Sequence, residues 1–245
     1  MKKFLRLAMS ALMVFACGKK SSENNSTAEK STTQTQTAGK TYKIGVTQFM
    51  THPSLDLVKK GFEKAFEEAG IKADFDEKNA NGEVTTANLI ASNYKADKKD
   101  LVFAVTTPTA QAAKNQVDKS IPVVFASVTD PKSAGLEGIP TVTGTSGAAP
   151  INENLKLMRK IFPKAKNIGI IYNSSEQNSV SEVNNLKKLA KENGFNVVDK
   201  AITNGTELLA AANIISKEID IYYATQDNTV ASYFAALLDV LNKAK

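Results

Sequence analysis

Five short stretches concentrate hydroxyls, amides, aromatic rings and carboxylates between apolar runs: TQFMTHPSL, TTPTAQ, SVTDP, YNSSEQNS and TQDNT. Together they supply Phe49, Tyr172, Asp130, Glu176 and Asp227, with threonines and amides on either side. Thr107 and Thr109 open a helical pattern, and helix N-termini present free N–H groups that favour an anion such as a ligand carboxylate. Asp227 or Glu176 would accept a ligand ammonium through charge-assisted hydrogen bonds. Phe49 and Tyr172 would stack on a flat ring. Carboxylate, ammonium and ring together describe an aromatic amino acid, although sugars and nucleosides also use carboxylates with aromatics. Each residue has a plainer reading. Thr106-Thr107-Pro108 could serve only as a helix cap, and Asp227 could cap the last helix. Tyr172 could be a boundary aromatic and Glu176 a solvated loop carboxylate. His52, the one histidine, precedes Pro53 and is biased to an extended turn.

These stretches need a scaffold, and the periodicity supplies one. Short β runs are expected at 42–48, 72–77, 100–106, 121–127, 167–173, 195–201 and 220–225. Amphipathic helices fall between them. The first places Leu55, Val58, Phe62, Phe66 and Ala69 on one face, with Ser54 as N-cap and Gly70 as terminator. Others are expected at 83–96, 151–161, 178–193, 206–217 and 228–243, and one starts at Pro108 with Thr107 as N-cap. Repeated β-α-β units imply parallel sheets with right-handed crossovers. A Gly-, Pro-, Ser- and Thr-rich stretch, 130–150, has little helical character and places a lobe boundary near Gly144. The fold class is therefore α/β, with two Rossmann-like lobes. Ligands of open α/β sheets sit at the carboxyl ends of the strands, where the five stretches lie.

The single cysteine, Cys17, excludes an internal disulfide and any multi-cysteine metal site. Lys2, Lys3 and Arg6 form a positive head before an apolar run too short to span a bilayer, the layout of a signal peptide. Residues 18–40 are too polar to offset their conformational entropy and read as a tether, reaching ~25–30 Å as a coil. Three of the six net positive charges lie in residues 1–16. Residues 17–40, with four lysines and two glutamates, carry two more, which leaves the body at +1. A near-neutral body gives no electrostatic footprint for nucleic acid. No nucleophile elbow, P-loop or dinucleotide fingerprint is present, and one histidine with one cysteine makes no metal cluster and no Cys/His pair. No catalytic residue, metal or cofactor is therefore expected.

The ordered motifs TQFMTHPSLD, TTPTAQAA, VTDP, GTSGAAP, YNSSEQNSVSEV and TQDNTV resemble those of substrate-binding lipoproteins of ABC transporters, of the tryptophan/tyrosine-binding type. The resemblance covers 42–245. It implies a type I periplasmic-binding-protein fold closing on an amino acid, delivery to a membrane permease, and no catalysis. A ligand-binding sensor lipoprotein, or a binder of a nucleoside or sugar, is the alternative on the same fold. The resemblance matches Gln48, Phe49 and His52 to the first binding loop, and Thr107, Ala110 and Gln111 to the first-lobe helix start. It matches Thr129 and Asp130 to the VTDP turn, Tyr172, Glu176, Asn178 and Ser179 to the second-lobe loop, and Asp227 and Asn228 to the last loop. Val14-Phe15-Ala16-Cys17 resembles a bacterial lipobox, which implies cleavage before Cys17, lipid on its sulfur and an extracytoplasmic, membrane-anchored protein, expected as a monomer. The expected segments are a signal peptide at 1–16, a tether at 17–41, a first lobe at 42–144 and a second at 145–245. The second lobe is expected to be incomplete, because the resemblance implies a further strand after LLDVLNKAK. Gly147 stands where the resemblance implies an acidic residue.

Overall fold

A computed structural model describes residues 39–244. The expected signal segment, Cys17 and nearly all of the tether lie outside them.

The first lobe is a five-stranded, all-parallel sheet in the order β2-β1-β3-β4-β5. Its strands are β1 (Tyr42–Gln48), β2 (Ala73–Asn79), β3 (Leu101–Val105), β4 (Val123–Val128) and β5 (Val142–Ser146). Helix α1 (Pro53–Glu68) covers one face, laying Leu55, Val58, Phe62 and Phe66 against Ile44, Val46, Phe103 and Val105. Phe62 stacks flat on Phe103 with ring centroids 3.9 Å apart. Helices α2 (Val84–Ala96) and α3 (Thr107–Gln116) cover the other face. There Tyr94 is fully buried, and its hydroxyl donates to the carbonyls of Val46 (2.9 Å) and Asp76 (2.8 Å), tying β1 to β2. Its ring lies so close to β1 that a Cβ on Gly45 would meet it at 2.6 Å, which is why a glycine stands in that strand.

The second lobe is a three-stranded parallel sheet in the order β7-β6-β8, from β6 (Asn167–Asn173), β7 (Asn196–Ile202) and β8 (Ile221–Tyr222). Helices α4 (Ile151–Ile161) and α5 (Gln177–Glu192) pack on one face through Leu155, Val183 and Leu186. On the other face, α6 (Leu208–Ile215), α7 (Asn228–Ser232) and α8 (Phe234–Lys243) pack through Leu208, Ile215, Val230 and Leu237. Both sheets reverse strand order beside their first strand. Each therefore has a switch point whose carboxyl ends open a crevice.

Several expectations need correction. The lobe boundary does not fall at Gly144, which pairs with Phe125 inside β5; the chain leaves the first sheet after Ser146. The first helix is capped by His52, not Ser54. Pro53 has no N–H and holds His52 extended, so the His52 ring reaches past it to accept from the Ser54 amide at 3.2 Å. Thr106, not Thr107, stands at the N-cap position of α3, and its side chain makes no capping hydrogen bond. The strand expected over 220–225 is only Ile221–Tyr222, because the chain then turns away from the ladder and the Gln226 amide donates to the buried Glu182 carboxylate at 2.8 Å. The last helix is two, broken at Tyr233, because α7 packs against β6 whereas α8 packs against α6.

Candidate functional site

A cavity of about 310 Å³ lies between the lobes at the carboxyl ends of the strands. The first lobe contributes Met50 and His52 after β1, Thr106 and Thr107 after β3, Ser127 and Thr129 from the end of β4, and Gly147 after β5. The second contributes Asn178 from α5 and the run Thr225 to Asn228 between β8 and α7.

The backbone is least regular on the first-lobe side. Thr106 has φ 81° and ψ 165°, a region populated almost solely by glycine, although threonine is β-branched. Its hydroxyl oxygen and that of Thr107 are buried with no protein partner. Ser127 has φ 57°, where the β4–β5 register shifts between Phe125 and Val128, so a bulge carries it to the cavity wall. Strained residues of this kind persist where the surroundings hold them, and they cluster in binding sites.

The second-lobe side is built on buried carboxylates. Glu176 is fully buried. One of its oxygens accepts from the Thr229 amide (2.9 Å) and hydroxyl (2.8 Å). The other accepts from the Asn228 amide (3.0 Å) and side chain (2.5 Å). Asp227 is 1 % exposed. Its Oδ1 caps α7 by accepting from the Val230 amide at 2.7 Å, and its Oδ2 accepts from the Asn173 amide at 2.6 Å. Burial, and then the Glu176 carboxylate beside it, push the Asp227 carboxyl up to about 6. Burial likewise raises Glu182, whose Oε1 has no protein partner. No lysine or arginine among the described residues pairs with any of the three. Asn178 donates to the Gln226 carbonyl at 2.8 Å, while its Oδ1 and the Thr225 hydroxyl remain buried and unpartnered.

Of the residues marked in the sequence, His52, Thr107, Thr129, Asn178, Asp227 and Asn228 line the cavity. The others stand behind it or at its edge. Gln48 is buried and donates to the Met50 carbonyl (2.6 Å) and to Asp56 (3.1 Å), shaping the loop that carries Met50. Phe49 is 1 % exposed inside the first-lobe core, and Tyr172 packs half-buried on the second-lobe core, so neither ring is presented for stacking. Ala110 is core, and Gln111 donates to the Ala134 carbonyl at 3.2 Å. Ser179 is buried, and its hydroxyl oxygen accepts from the Asn178 side chain at 3.3 Å. The Thr109 hydroxyl turns back to the Val105 carbonyl at 2.6 Å and is not free for an anion. Glu176 is neither solvated nor free. Asp130 lies outside the cavity and hydrogen-bonds across to the second lobe. Met50, Leu55, Thr106, Ser127, Thr225, Gln226 and Ala231 also line the cavity without having been singled out. Met50, Leu55, Thr106, Ser127, Thr225 and Gln226 lay within the flagged strand-end stretches, whereas nothing in the sequence marks Ala231.

Two parallel α/β lobes with an interlobe cavity lined by unpaired polar atoms have the layout of a two-lobed ligand-binding protein. The family model for ABC transporter substrate-binding proteins matches residues 43–245, and the chain belongs to that family. Such proteins capture a small molecule outside the cytoplasm and pass it to a membrane permease. The chain is 39 % identical over 259 residues to a tyrosine-binding protein of Clostridioides difficile, and the match covers all of this chain and 73 % of that protein. Among solved structures, a complex with L-Trp from Streptococcus pneumoniae is 30 % identical with a TM-score of 0.79, covering 84 % of this chain and 72 % of the other. A conserved domain protein from Vibrio cholerae is 33 % identical with a TM-score of 0.80 and the same coverage. A ligand-free, open substrate-binding protein from Clostridium difficile, with adhesive properties, is 41 % identical over 83 % of this chain and 72 % of that one. Its TM-score is 0.56. Of these three structures, the one with the highest identity, the ligand-free open form, superposes least well, and the L-Trp complex superposes better.

Proposed function

We propose that the chain captures a single amino acid with an aromatic side chain in the interlobe cavity and releases it unchanged to its permease. The observation that carries this reading is electrostatic. Glu176, Glu182 and Asp227 lie buried beneath or beside the cavity floor with no cationic side chain to balance them. A ligand ammonium is the charge such a floor lacks. It would sit against the Asp227 carboxylate and the free Asn178 oxygen, with the Thr225 hydroxyl nearby. The ligand carboxylate would take the Thr106 and Thr107 hydroxyls and the first-turn N–H groups of α3. Met50, Leu55 and Ala231 form the apolar part of the wall, and a thioether is a favourable neighbour for an aromatic ring. A cavity of about 310 Å³ stands at the small end of ligand pockets, which suits one amino acid. The C. difficile tyrosine-binding relative and the L-Trp complex support the same ligand class.

The same reading includes cleavage before Cys17, lipid on its sulfur, a tether that holds a monomeric binding unit at the outer face of the membrane, and no enzymatic step. Metabolic labelling with a fatty-acid analogue tests the anchor: wild type is labelled and Cys17→Ser is not.

The ligand is tested by thermal shift with L-tyrosine, L-tryptophan and L-phenylalanine beside N-acetyl-L-tyrosine, tyramine, nucleosides and sugars. A ligand at a hundredfold excess over Kd stabilises the native state by ~2.7 kcal/mol. The free aromatic amino acids raise the midpoint, and the two derivatives that lack one charge fail to do so. Stabilisation by a nucleoside or a sugar instead would overturn the assignment.

A further inference from the structure

We propose that Asp130 and Ser181 form a latch that holds the two lobes together independently of ligand. The proposal rests on the reading that the lobes close over the cavity, and not on which amino acid fills it.

Asp130 follows β4 in the first lobe and does not line the cavity. Its Oδ1 accepts from the Ser133 amide at 3.1 Å. Its Oδ2 accepts from the Ser133 hydroxyl and, across the gap between lobes, from the Ser181 hydroxyl at 3.0 Å. Ser181 belongs to α5 of the second lobe, and α5 also touches α3 of the first. The Ser181 hydroxyl also lies 3.3 Å from the Ser133 hydroxyl, and two contacts elsewhere cross the gap. The Thr129 hydroxyl donates to the Gln226 amide oxygen at 3.2 Å, and the Ser232 hydroxyl lies 2.9 Å from the Met50 sulfur.

The chemistry of the Asp130 contact suits a catch. The Ser133 turn holds the carboxylate in a fixed direction before the second lobe arrives, and its hydrogen bonds keep the group ionised. A hydroxyl donating to a carboxylate is stronger than a neutral pair, and it is short-ranged because no cationic side chain contributes. It forms at closure and is lost once the lobes part by an ångström or two. Closure also buries the Thr106, Thr107, Asn178 and Thr225 polar atoms without protein partners, which by itself opposes a closed empty cavity. Contacts at the rim offset that opposition. A latch of this kind raises the closed fraction before ligand arrives, and so raises apparent affinity.

Ser181→Ala is the clean variant. It removes only the interlobe contacts of the Ser181 hydroxyl, leaves the Asp130–Ser133 turn intact and places a good helix former in α5. Ser181→Asp sets like charges against each other and drives the lobes apart. The measurement is small-angle X-ray scattering on the full chain without ligand, followed by the L-tyrosine dissociation rate in stopped flow. Wild type scatters as the compact form. Ser181→Ala lowers the closed-to-open ratio by about tenfold and speeds dissociation by a similar factor, and Ser181→Asp expands the protein further. An expanded ligand-free wild type, or variant profiles that superimpose on wild type, would overturn the latch. The ligand-free comparison holds even if no aromatic amino acid binds, whereas titration of wild type alone judges the ligand.

Discussion

Asp227→Asn separates two pulls on one carboxyl group. Two backbone amides, at 2.6 and 2.7 Å, favour the charged form. Burial and the neighbouring Glu176 carboxylate oppose it and prevail, raising the group from 3.8 to about 6. That displacement corresponds to ~3 kcal/mol. The folded carboxyl holds its proton more tightly than the unfolded one, so between about pH 4 and pH 6 the native state binds more protons. The Asp227 contribution to stability is therefore fully present below pH 4 and is lost as pH rises through 6. Asn cannot ionise, and its amide oxygen still accepts one of the two N–H bonds while its NH₂ faces the other. Relative to the protonated wild type that mismatch costs ~1–3 kcal/mol and does not change with pH, whereas the wild type itself gives up a similar amount as its buried carboxyl ionises. The expected outcome is a variant less stable than wild type at pH 4.5 and close to it at pH 7.5. Urea unfolding at the two values checks this. A gap between wild type and variant that is unchanged, or that widens towards pH 7.5, would show that the carboxyl is stabilised in its charged form and refute the reasoning.

Three further outcomes follow from the same geometry. Glu176→Ala strips the partner from the Asn228 and Thr229 amides at the start of α7 and destabilises the second lobe by ~3 kcal/mol or more, read by urea denaturation. Thr106→Gly relieves a backbone conformation that threonine rarely adopts and deletes a cavity hydroxyl, so the melting temperature rises while ligand affinity falls; a fall in both would mean that no strain is stored there. Gly147→Asp folds with stability within ~0.5 kcal/mol of wild type, because a Cβ there meets only the Ser127 Cα at 3.8 Å. Its added carboxylate shifts preference from zwitterions towards amines without a carboxylate, measured by calorimetry with L-tyrosine and tyramine.

Much of the scaffold was legible because two periods alternate along the chain. The α1 face of Leu55, Val58, Phe62 and Phe66 is a 3.6-residue pattern, and it packs as one surface on the first sheet. The limits 151–161 and 167–173 coincide with α4 and β6. What failed was set by tertiary structure. VTGTS carries no pattern that separates a loop from an edge strand, so β5 was hidden in a Gly-rich stretch. Nothing local in Thr106 or Ser127 announces a positive φ; the bulge in β4 and the packing of α3 impose it. Phe49 looked available because it follows a strand, yet it turns inward to the core while its neighbour Met50 turns to the cavity. Glu176 and Asp227 were recognisable as acids at strand ends. That their oxygens are engaged by α7 and β6 depends on residues about fifty positions apart.

That engagement has a consequence for how such a protein changes over generations. Glu176 and Asp227 hold the second lobe's backbone together, so altering either endangers folding before it alters recognition. Met50, Leu55 and Ala231 meet the ligand space through apolar surface alone, where exchanges of similar volume are tolerated. Preference for one side chain over another is thus free to drift by single steps in the wall, while the charge-bearing floor stays closed to variation. Gene copies that diverge under these constraints would come to differ in which side chain they take, and would go on demanding the same charged end.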